Sequence, residues 1–289
     1  MSLSRRHVLA AGAAFGLAGC SAEVRHAADM AGRMLELKKR HGGRIGVSAL
    51  QGGKSVNLDS TERFAMCSTF KWVLATAILS QSDQGKLGLD RDIAYGQGDL
   101  LDYAPVTRAH VAEGRMAVRD LCAAAVSLSD NTAANLLLPL AGGPSGLTQF
   151  VRTLGDATTR FDRTEPDLNT NVDGDERDTT TPQAMAALLK TVFTGTVLKP
   201  ASRDQLKAWM VATSTGQKRI RAALPTGWTA GDKTGTGENG AVNDVAVIWP
   251  DSGDPIFMAI YTSGGTLDAA GREAVIADTA KLALDVLKI

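Results

Sequence analysis

A serine and a lysine three residues apart are the first side chains of this sequence whose types and spacing could perform chemistry. In Ser68-Thr69-Phe70-Lys71, the helix predicted over residues 70–79 begins beside the serine, so one turn brings the lysine amine over the hydroxyl. A serine hydroxyl becomes a good nucleophile when a neighbouring base takes its proton, and lysine is one such base. The spacing therefore predicts nucleophilic catalysis, with a capping serine followed by a surface lysine as the alternative.

Two further patches combine hydroxyl, amide and ammonium groups. Ser129-Asp130-Asn131 lies between two helical segments, where the same residue types also serve as helix caps. Lys233-Thr234-Gly235 lies at the end of a strand predicted from Gly227, where a strand-to-turn junction is the simpler interpretation. The glycines that follow match G-x-G-x-x-G, but a strand comes next where a dinucleotide site needs a helix, which excludes such a site.

A polar loop over residues 163–178 carries Glu165 and Asn169 and is long enough to be functional. Glu165 precedes Pro166, so its peptide bond is a candidate for the cis form. The acidic run from Asn169 resembles a calcium loop, but Thr180 stands where the bidentate glutamate belongs. The four histidines and three cysteines form no metal-binding pair, so we predict no metal site.

In their order along the chain, these four patches resemble the signature of class A β-lactamases, which combines Ser-x-x-Lys, Ser-Asp-Asn, a loop glutamate and Lys-Thr-Gly. The resemblance extends over nearly all of the chain after the first twenty residues. It implies a serine hydrolase without metal or organic cofactor that opens the lactam amide of penicillins and cephalosporins and confers resistance to these antibiotics. Carbapenem hydrolysis is left open.

The resemblance also implies residue roles. Ser68 forms an acyl-enzyme, Lys71 or a water held by Glu165 takes its proton, and Ser129 protonates the departing lactam nitrogen. Glu165, with Asn169, activates the water that releases the product. The implied substrate-binding residues are Tyr103, Asn131, Asn169, Arg219, Lys233, Thr234 and Thr236. The backbone N–H groups of Ser68 and Thr236 would hold the oxyanion, and Arg163 and Asp178 would form the ion pair that closes the loop carrying Glu165.

Departures from the family pattern concern one arginine and the cysteines. Arg219 resembles the carboxylate-binding arginine of members that include carbapenemases. Neither common disulfide of the family can form, because the positions that would pair with Cys67 and Cys122 hold Gly237 and Ala75. We expect both to be buried free thiols.

Strand patterns at both ends of the chain enclose a helical middle. The predicted strands are Ile45–Leu50, Val56–Leu58, Gly227–Gly231, Asn243–Trp249 and Ile256–Thr262. We predict a mixed α and β, two-domain penicillin-recognising fold, in which an antiparallel sheet built from both termini carries flanking helices and receives an inserted all-α domain. The expected boundaries are 20–61 with 211–289 for the α/β domain and 62–210 for the all-α domain. The seam between them is the expected position of the site.

The first nineteen residues have the pattern of an export signal. Arg5-Arg6 precede a ten-residue apolar run, Val8–Leu17, and resemble a twin-arginine signal. Leu17-Ala18-Gly19-Cys20 resembles a lipobox, which would make Cys20 a lipid anchor. The sequence thus predicts residues 1–19 as a signal peptide and a periplasmic protein, with membrane attachment through Cys20 or an ordinary cleavage nearby as alternatives.

The chain has 289 residues with 31 basic and 31 acidic side chains, a balance that disfavours nucleic-acid binding. We expect a monomer. Two other functions share the motifs. A penicillin-sensitive D,D-peptidase would lack the deacylating pair Glu165 and Asn169, and a β-lactam-sensing domain would need a membrane-spanning helix or a second domain.

Overall fold

The computed structural model describes residues 32–287, which form nine strands and nine helices. The strands are β1 (Gly43–Gln51), β2 (Lys54–Leu58), β3 (Phe64–Ala65), β4 (Asp92–Ala94), β5 (Arg115–Ala117), β6 (Thr179–Thr180), β7 (Thr229–Thr236), β8 (Val242–Trp249) and β9 (Ile256–Gly264). The helices are α1 (32–41), α2 (Phe70–Asp83), α3 (Pro105–Ala109), α4 (Val118–Ser127), α5 (Asn131–Leu137), α6 (Gly143–Thr153), α7 (Pro182–Thr194), α8 (Pro200–Val211) and α9 (Ala269–Leu287).

Five strands form one antiparallel sheet in the order β2-β1-β9-β8-β7. The amino-terminal hairpin therefore lies beside the three carboxy-terminal strands, with β1 paired to β9 from Gly43 opposite Gly264 to Gln51 opposite Ile256. The prediction of an antiparallel sheet built from both termini is confirmed. Strand β7 forms one edge of this sheet.

Helices cover both faces of the sheet. Side chains alternate across a strand, so Val245 and Val247 of β8 join the core formed with α2, α4 and α7, whereas Ala246 and Ile248 join the core beneath α1 and α9. All four are fully buried. The helical middle of the chain and the inner face of the sheet thus share one continuous core.

Two element boundaries differ from the sequence predictions. The strand predicted over Gly227–Gly231 is β7, Thr229–Thr236, so the Lys-Thr-Gly patch lies within the strand. It continues because β8 pairs with every one of these residues and buries Lys233 and Thr234. Ser68 does not open an α-helix directly: it lies in a 3₁₀ turn, Cys67–Thr69, that leads into α2.

The predicted signal peptide, residues 1–19, and the predicted lipid anchor Cys20 lie outside the described residues. Among residues 32–287, no helix is both long and apolar enough to cross a membrane.

A buried histidine makes the stability of the fold dependent on pH. His41, where α1 meets β1, is fully buried, and burial together with the nearby Arg272 lowers its pKa below the ordinary value. The unfolded chain takes up this proton as the pH falls through about 6.5, whereas the folded protein does so only at lower pH. We therefore expect the free energy of unfolding to decrease as the pH drops below about 6.5. The decrease for this one proton is at most about 1.4 kcal/mol per pH unit.

Urea unfolding between pH 5 and 8 measures this effect. The His41→Gln variant should have a flatter acid limb than the parent protein, and His110→Gln, at an exposed histidine, is the matched control. Equal acid slopes for His41→Gln and the parent would contradict the assignment.

Candidate active site

The predicted nucleophile lies on a strained turn. Cys67, directly before Ser68, is buried and has a φ of 47°, a left-handed conformation that is costly for a non-glycine residue. The turn leads into α2, whose first eleven residues, from Phe70 to Ser80, are all buried. Lys71, in the first turn of this helix, is fully buried, so its ammonium group must find its partners inside the protein.

Four oxygen atoms lie within 2.9 Å of the Lys71 ammonium nitrogen. The nitrogen lies 2.8 Å from Ser68 Oγ, 2.9 Å from Glu165 Oε1, 2.5 Å from Asn131 Oδ1 and 2.8 Å from the carbonyl oxygen of Ser129. Burial lowers the pKa of Lys71, while the Glu165 carboxylate acts in the opposite direction. The Ser68 hydroxyl also donates to Glu165 Oε1 at 3.1 Å. Serine, lysine and glutamate thus form a closed triangle.

Ser129 lies between two lysines. Its hydroxyl accepts from Lys233 Nζ at 3.0 Å and lies 3.4 Å from Lys71 Nζ. Burial, reinforced by the charge of Lys71, holds the pKa of Lys233 well below its usual range. Asp130, between Ser129 and Asn131, has a structural role: its buried carboxylate accepts from the backbone of Val106 and of Ala133 and so caps α5.

The 163–178 loop is closed by an ion pair. Arg163 Nε lies 2.6 Å from Asp178 Oδ2, and both side chains are largely buried. The backbone carbonyl of Asp178 accepts from the amide of Met66, which links this pair to the turn that carries the predicted nucleophile. The Glu165-Pro166 peptide bond, a candidate for the cis form from the sequence, is cis.

Within this loop, two asparagines hold Glu165. Asn169 Nδ2 donates to Glu165 Oε2 at 2.6 Å. Asn135 of α5 bonds both the backbone amide of Glu165, at 3.0 Å, and its carbonyl, at 2.8 Å. Asn135 was not among the predicted site residues, although its position one turn after Asn131 on the same helix face was an available signal.

Strand β7 and the segment before it form the opposite wall. Thr234 and Thr236 share one face of the strand, and Arg219 donates to Thr236 Oγ1 at 2.9 Å and to two backbone carbonyl groups. Gly235 allows the strand to approach the turn with the nucleophile, because a Cβ there would lie 2.6 Å from the Met66 carbonyl oxygen. Thr215 contacts Thr234 and was also not among the predicted site residues. It belongs to no motif in the sequence that could have indicated this role.

These groups surround a cavity of about 340 Å³, a size suited to a small molecule. Its lining residues are Ser68, Tyr103, Ser129, Asn131, Asn169, Thr215, Arg219, Thr234 and Thr236. Tyr103 is 51% exposed beside it. Larger cavities of about 660 and 850 Å³ lie elsewhere in the described part of the chain and contain none of the predicted site residues. The structure therefore brings the predicted residues together, with Lys71, Glu165 and Lys233 buried behind the lining.

The remaining predictions concern thiols and metals. Cys67 and Cys122 are buried free thiols, as predicted, and burial raises the pKa of the Cys67 thiol to about 12. Within residues 32–287, no group of histidine, cysteine and carboxylate side chains could hold a metal ion.

The fold is that of a class A serine β-lactamase, as comparison with known proteins shows. The profile of the Beta-lactamase enzyme family matches residues 30–287, and the chain belongs to this family. Relatives at 44% identity are the β-lactamase AST-1 of Nocardia asteroides, over 88% of this chain and 83% of the relative, and the carbapenem-hydrolysing β-lactamase KPC of Klebsiella oxytoca, over 100% and 99%.

Solved structures place the chain in class A. A class A β-lactamase reconstructed as the last common ancestor of Gram-negative bacteria is 54% identical, with a TM-score of 0.87 over 89% of this chain and 99% of that one. A putative class A enzyme, PenP from Rhodopseudomonas palustris, is 46% identical with a TM-score of 0.86 over the same shares. The predictions of family, fold class and β-lactamase activity are confirmed.

The closing ion pair of the loop allows a direct test. Asp178→Asn keeps the size of the side chain but leaves the buried Arg163 guanidinium without its charged partner. We expect a loss of about 1–3 kcal/mol in the free energy of unfolding, measured by urea denaturation. Asp175→Asn is the matched control in the same loop, because its partner Arg177 is exposed and such pairs contribute little. Equal losses in both variants would show that the buried Arg163 ion pair stabilises the fold no more than the exposed pair does.

Proposed function

We propose that the enzyme opens the lactam ring through an acyl-enzyme on Ser68, and that Lys71, Ser129 and Glu165 carry its protons. The observation that carries this proposal is the triangle in which Ser68 Oγ lies 2.8 Å from Lys71 Nζ and 3.1 Å from Glu165 Oε1. A hydroxyl between an amine and a carboxylate can lose its proton as it attacks a carbonyl carbon. We expect lactam-amide hydrolysis to follow from this arrangement.

In acylation, Ser68 Oγ bonds to the lactam carbonyl carbon while its proton passes to Lys71 or to Glu165. The lowered pKa of Lys71 increases the share of the neutral amine, which is the form that can accept this proton, and the direct contact with Glu165 supplies the second route. The backbone N–H groups of Ser68 and Thr236 stabilise the negative charge on the former carbonyl oxygen.

Cleavage of the ring requires a proton for the departing nitrogen. Ser129 is placed to deliver it, because its hydroxyl lies 3.4 Å from the Lys71 ammonium and 3.0 Å from that of Lys233. As the C–N bond breaks, the Ser129 proton moves to the nitrogen and a proton from Lys71 replaces it. When Lys71 is the base, the proton that Ser68 loses is thereby balanced by the proton that the lactam nitrogen gains.

Deacylation is assigned to Glu165 and Asn169. Their side chains are joined at 2.6 Å beside Ser68, and between them they offer a carboxylate and an amide to a water molecule. The water gives a proton to Glu165 as its oxygen attacks the acyl carbon. The bond between that carbon and Ser68 Oγ then breaks as Glu165, 3.1 Å from this oxygen, returns the proton to it. This step distinguishes turnover from permanent acylation.

Substrate binding is assigned to the β7 wall and to the residues facing it. A carboxylate on the substrate would meet the hydroxyl groups of Thr234 and Thr236 and the guanidinium of Arg219, with the charge of the buried Lys233 behind them. Asn131 and Tyr103 lie on the opposite wall, where Asn131 would bond the side-chain amide of the substrate.

We propose penicillins and cephalosporins as substrates. Carbapenems are the third class to assay, because a relative is named for carbapenem hydrolysis and because Arg219 is bonded to Thr236 in the cavity wall.

Mixing the purified protein with a chromogenic cephalosporin tests the mechanism. We expect many turnovers per enzyme. A single stoichiometric burst without a steady state would overturn it and favour a penicillin-sensitive D,D-peptidase or a β-lactam-sensing domain.

We further propose that the protein is exported to the periplasm as a monomer, confers β-lactam resistance there and is anchored by a lipid on Cys20. We also propose two domains: an α/β domain formed by residues 20–61 and 211–289, and an all-α domain formed by residues 62–210. The support is the export pattern of residues 1–20. The mass of the membrane-extracted protein tests the anchor, since an unmodified amino terminus beyond residue 20 would refute it.

A further inference from the structure

Residues 213–221, between α8 and β7, are tied to β7 by successive contacts. The Thr213 hydroxyl donates to the Asp232 carbonyl at 2.8 Å, and Arg219 donates to the backbone of the strand farther along. Gly216 lies against the Asp232 side chain so closely that a Cβ on the glycine would be 1.9 Å from the carboxylate. This segment is therefore a fixed part of the cavity wall.

Thr215 lies in the middle of this segment. Its Oγ1 is 2.6 Å from Thr234 Oγ1, and both threonines line the cavity. Each hydroxyl has one hydrogen to donate and can also accept. Two directions of donation are therefore available to the pair, and only one of them leaves the Thr234 hydrogen free to point into the cavity.

We propose that Thr215 is a positioning residue for recognition of the substrate carboxylate: its hydroxyl donates to Thr234 and thereby directs the Thr234 hydrogen toward the bound carboxylate. This inference rests on the proposed function, in which the β7 wall binds that group. A carboxylate only accepts hydrogen bonds, so Thr234 must donate to it and must receive its second bond from elsewhere. Thr215 is the hydroxyl at hydrogen-bond distance that can supply it.

The neighbouring threonine has the same arrangement. Thr236 accepts from Arg219 Nη2 at 2.9 Å, which leaves its own hydrogen free for the cavity. Each of the two β7 hydroxyl groups that line the cavity therefore has a partner in the 213–221 segment. In both pairs, the partner donates to the oxygen of the β7 hydroxyl, which leaves the hydroxyl hydrogen free to be donated to the substrate carboxylate.

The test compares Thr215→Val, which keeps the shape and removes the hydroxyl, with Thr215→Ser, which keeps the hydroxyl. KM and kcat are measured on a chromogenic cephalosporin with a free carboxylate and on the same compound with that group esterified. For the free acid, we expect Thr215→Val to lower kcat/KM about 3- to 10-fold, mainly through KM, the effect of losing one hydrogen bond between uncharged hydroxyl groups. The ester should be hydrolysed equally by Thr215→Val and the parent, and Thr215→Ser should remain within about twofold of the parent on both compounds.

The outcomes separate the two proposals. If the parent enzyme prefers the free acid to the ester and Thr215→Val has the same preference, the role of Thr215 is overturned but the carboxylate subsite is not. An equal loss on acid and ester, or failure of Thr215→Ser to restore activity, would also overturn it, since either result indicates a general structural effect. A parent enzyme that does not distinguish acid from ester would overturn the carboxylate subsite and this inference with it.

Discussion

Glu165→Gln should turn a catalytic enzyme into one that reacts once and stops. Glutamine keeps the size of the side chain and can still meet Asn169, but it cannot accept a proton from water. Loss of a general base typically costs about 10²- to 10⁴-fold in rate, so we expect the steady-state kcat to fall by that factor. Acylation should remain, because Lys71 still contacts the Ser68 hydroxyl at 2.8 Å. Intact-protein mass spectrometry should then show one substrate mass added per enzyme.

The matched control is Glu176→Gln. This glutamate lies in the same loop, but its side chain is 62% exposed. Its carboxylate lies 3.8 Å from Arg63 and 3.9 Å from Arg160. Its replacement should leave kcat unchanged. Rapid continued turnover by Glu165→Gln would remove Glu165 from the deacylation step, and loss of the mass adduct would indicate that it is the essential base in acylation instead.

Ser68→Ala should abolish both the adduct and the turnover. With no oxygen to bond to the lactam carbonyl, no covalent intermediate forms, and loss of a catalytic serine costs on the order of 10⁴- to 10⁶-fold in kcat. The cavity and its lysines remain, so substrate should still bind. Stopped-flow mixing with a chromogenic cephalosporin should show no burst, in contrast to Glu165→Gln.

Ser252→Ala, at an exposed serine between β8 and β9, is the control and should behave like the parent. Residual turnover of Ser68→Ala above about one hundredth of the parent rate would assign the nucleophile to another residue.

Local features of the protein were predictable from the sequence. Ser68 and Lys71 are one turn apart, so their contact survives the replacement of the predicted helix start by a 3₁₀ turn. Strand-like segments of the sequence located the strands of the sheet, and Glu165-Pro166 was a candidate for the cis bond that the structure contains. Each of these depends on residues within a few positions of one another.

Other features were missed because their partners are distant in the chain. Nothing near Thr215 indicates that it meets Thr234, and Asn135 was overlooked as a support for Glu165 thirty residues away. The end of β7 was placed too early because Lys233 and Thr234 are polar, and polar residues normally end a buried strand. They continue it here because β8 pairs with them and Ser129 accepts from the lysine.

By itself, the sequence determined which chemical groups are available, their order and the periodic patterns from which helices and strands form. Only the tertiary structure decided that Lys71 and Lys233, 162 positions apart, contact the same Ser129 hydroxyl. It also decided that Lys71 is fully buried beside Glu165. Burial and proximity shift proton affinities, and both are properties of packing between distant segments. The sequence therefore identified the residue types of the site, whereas their proton affinities and mutual contacts depend on the folded chain.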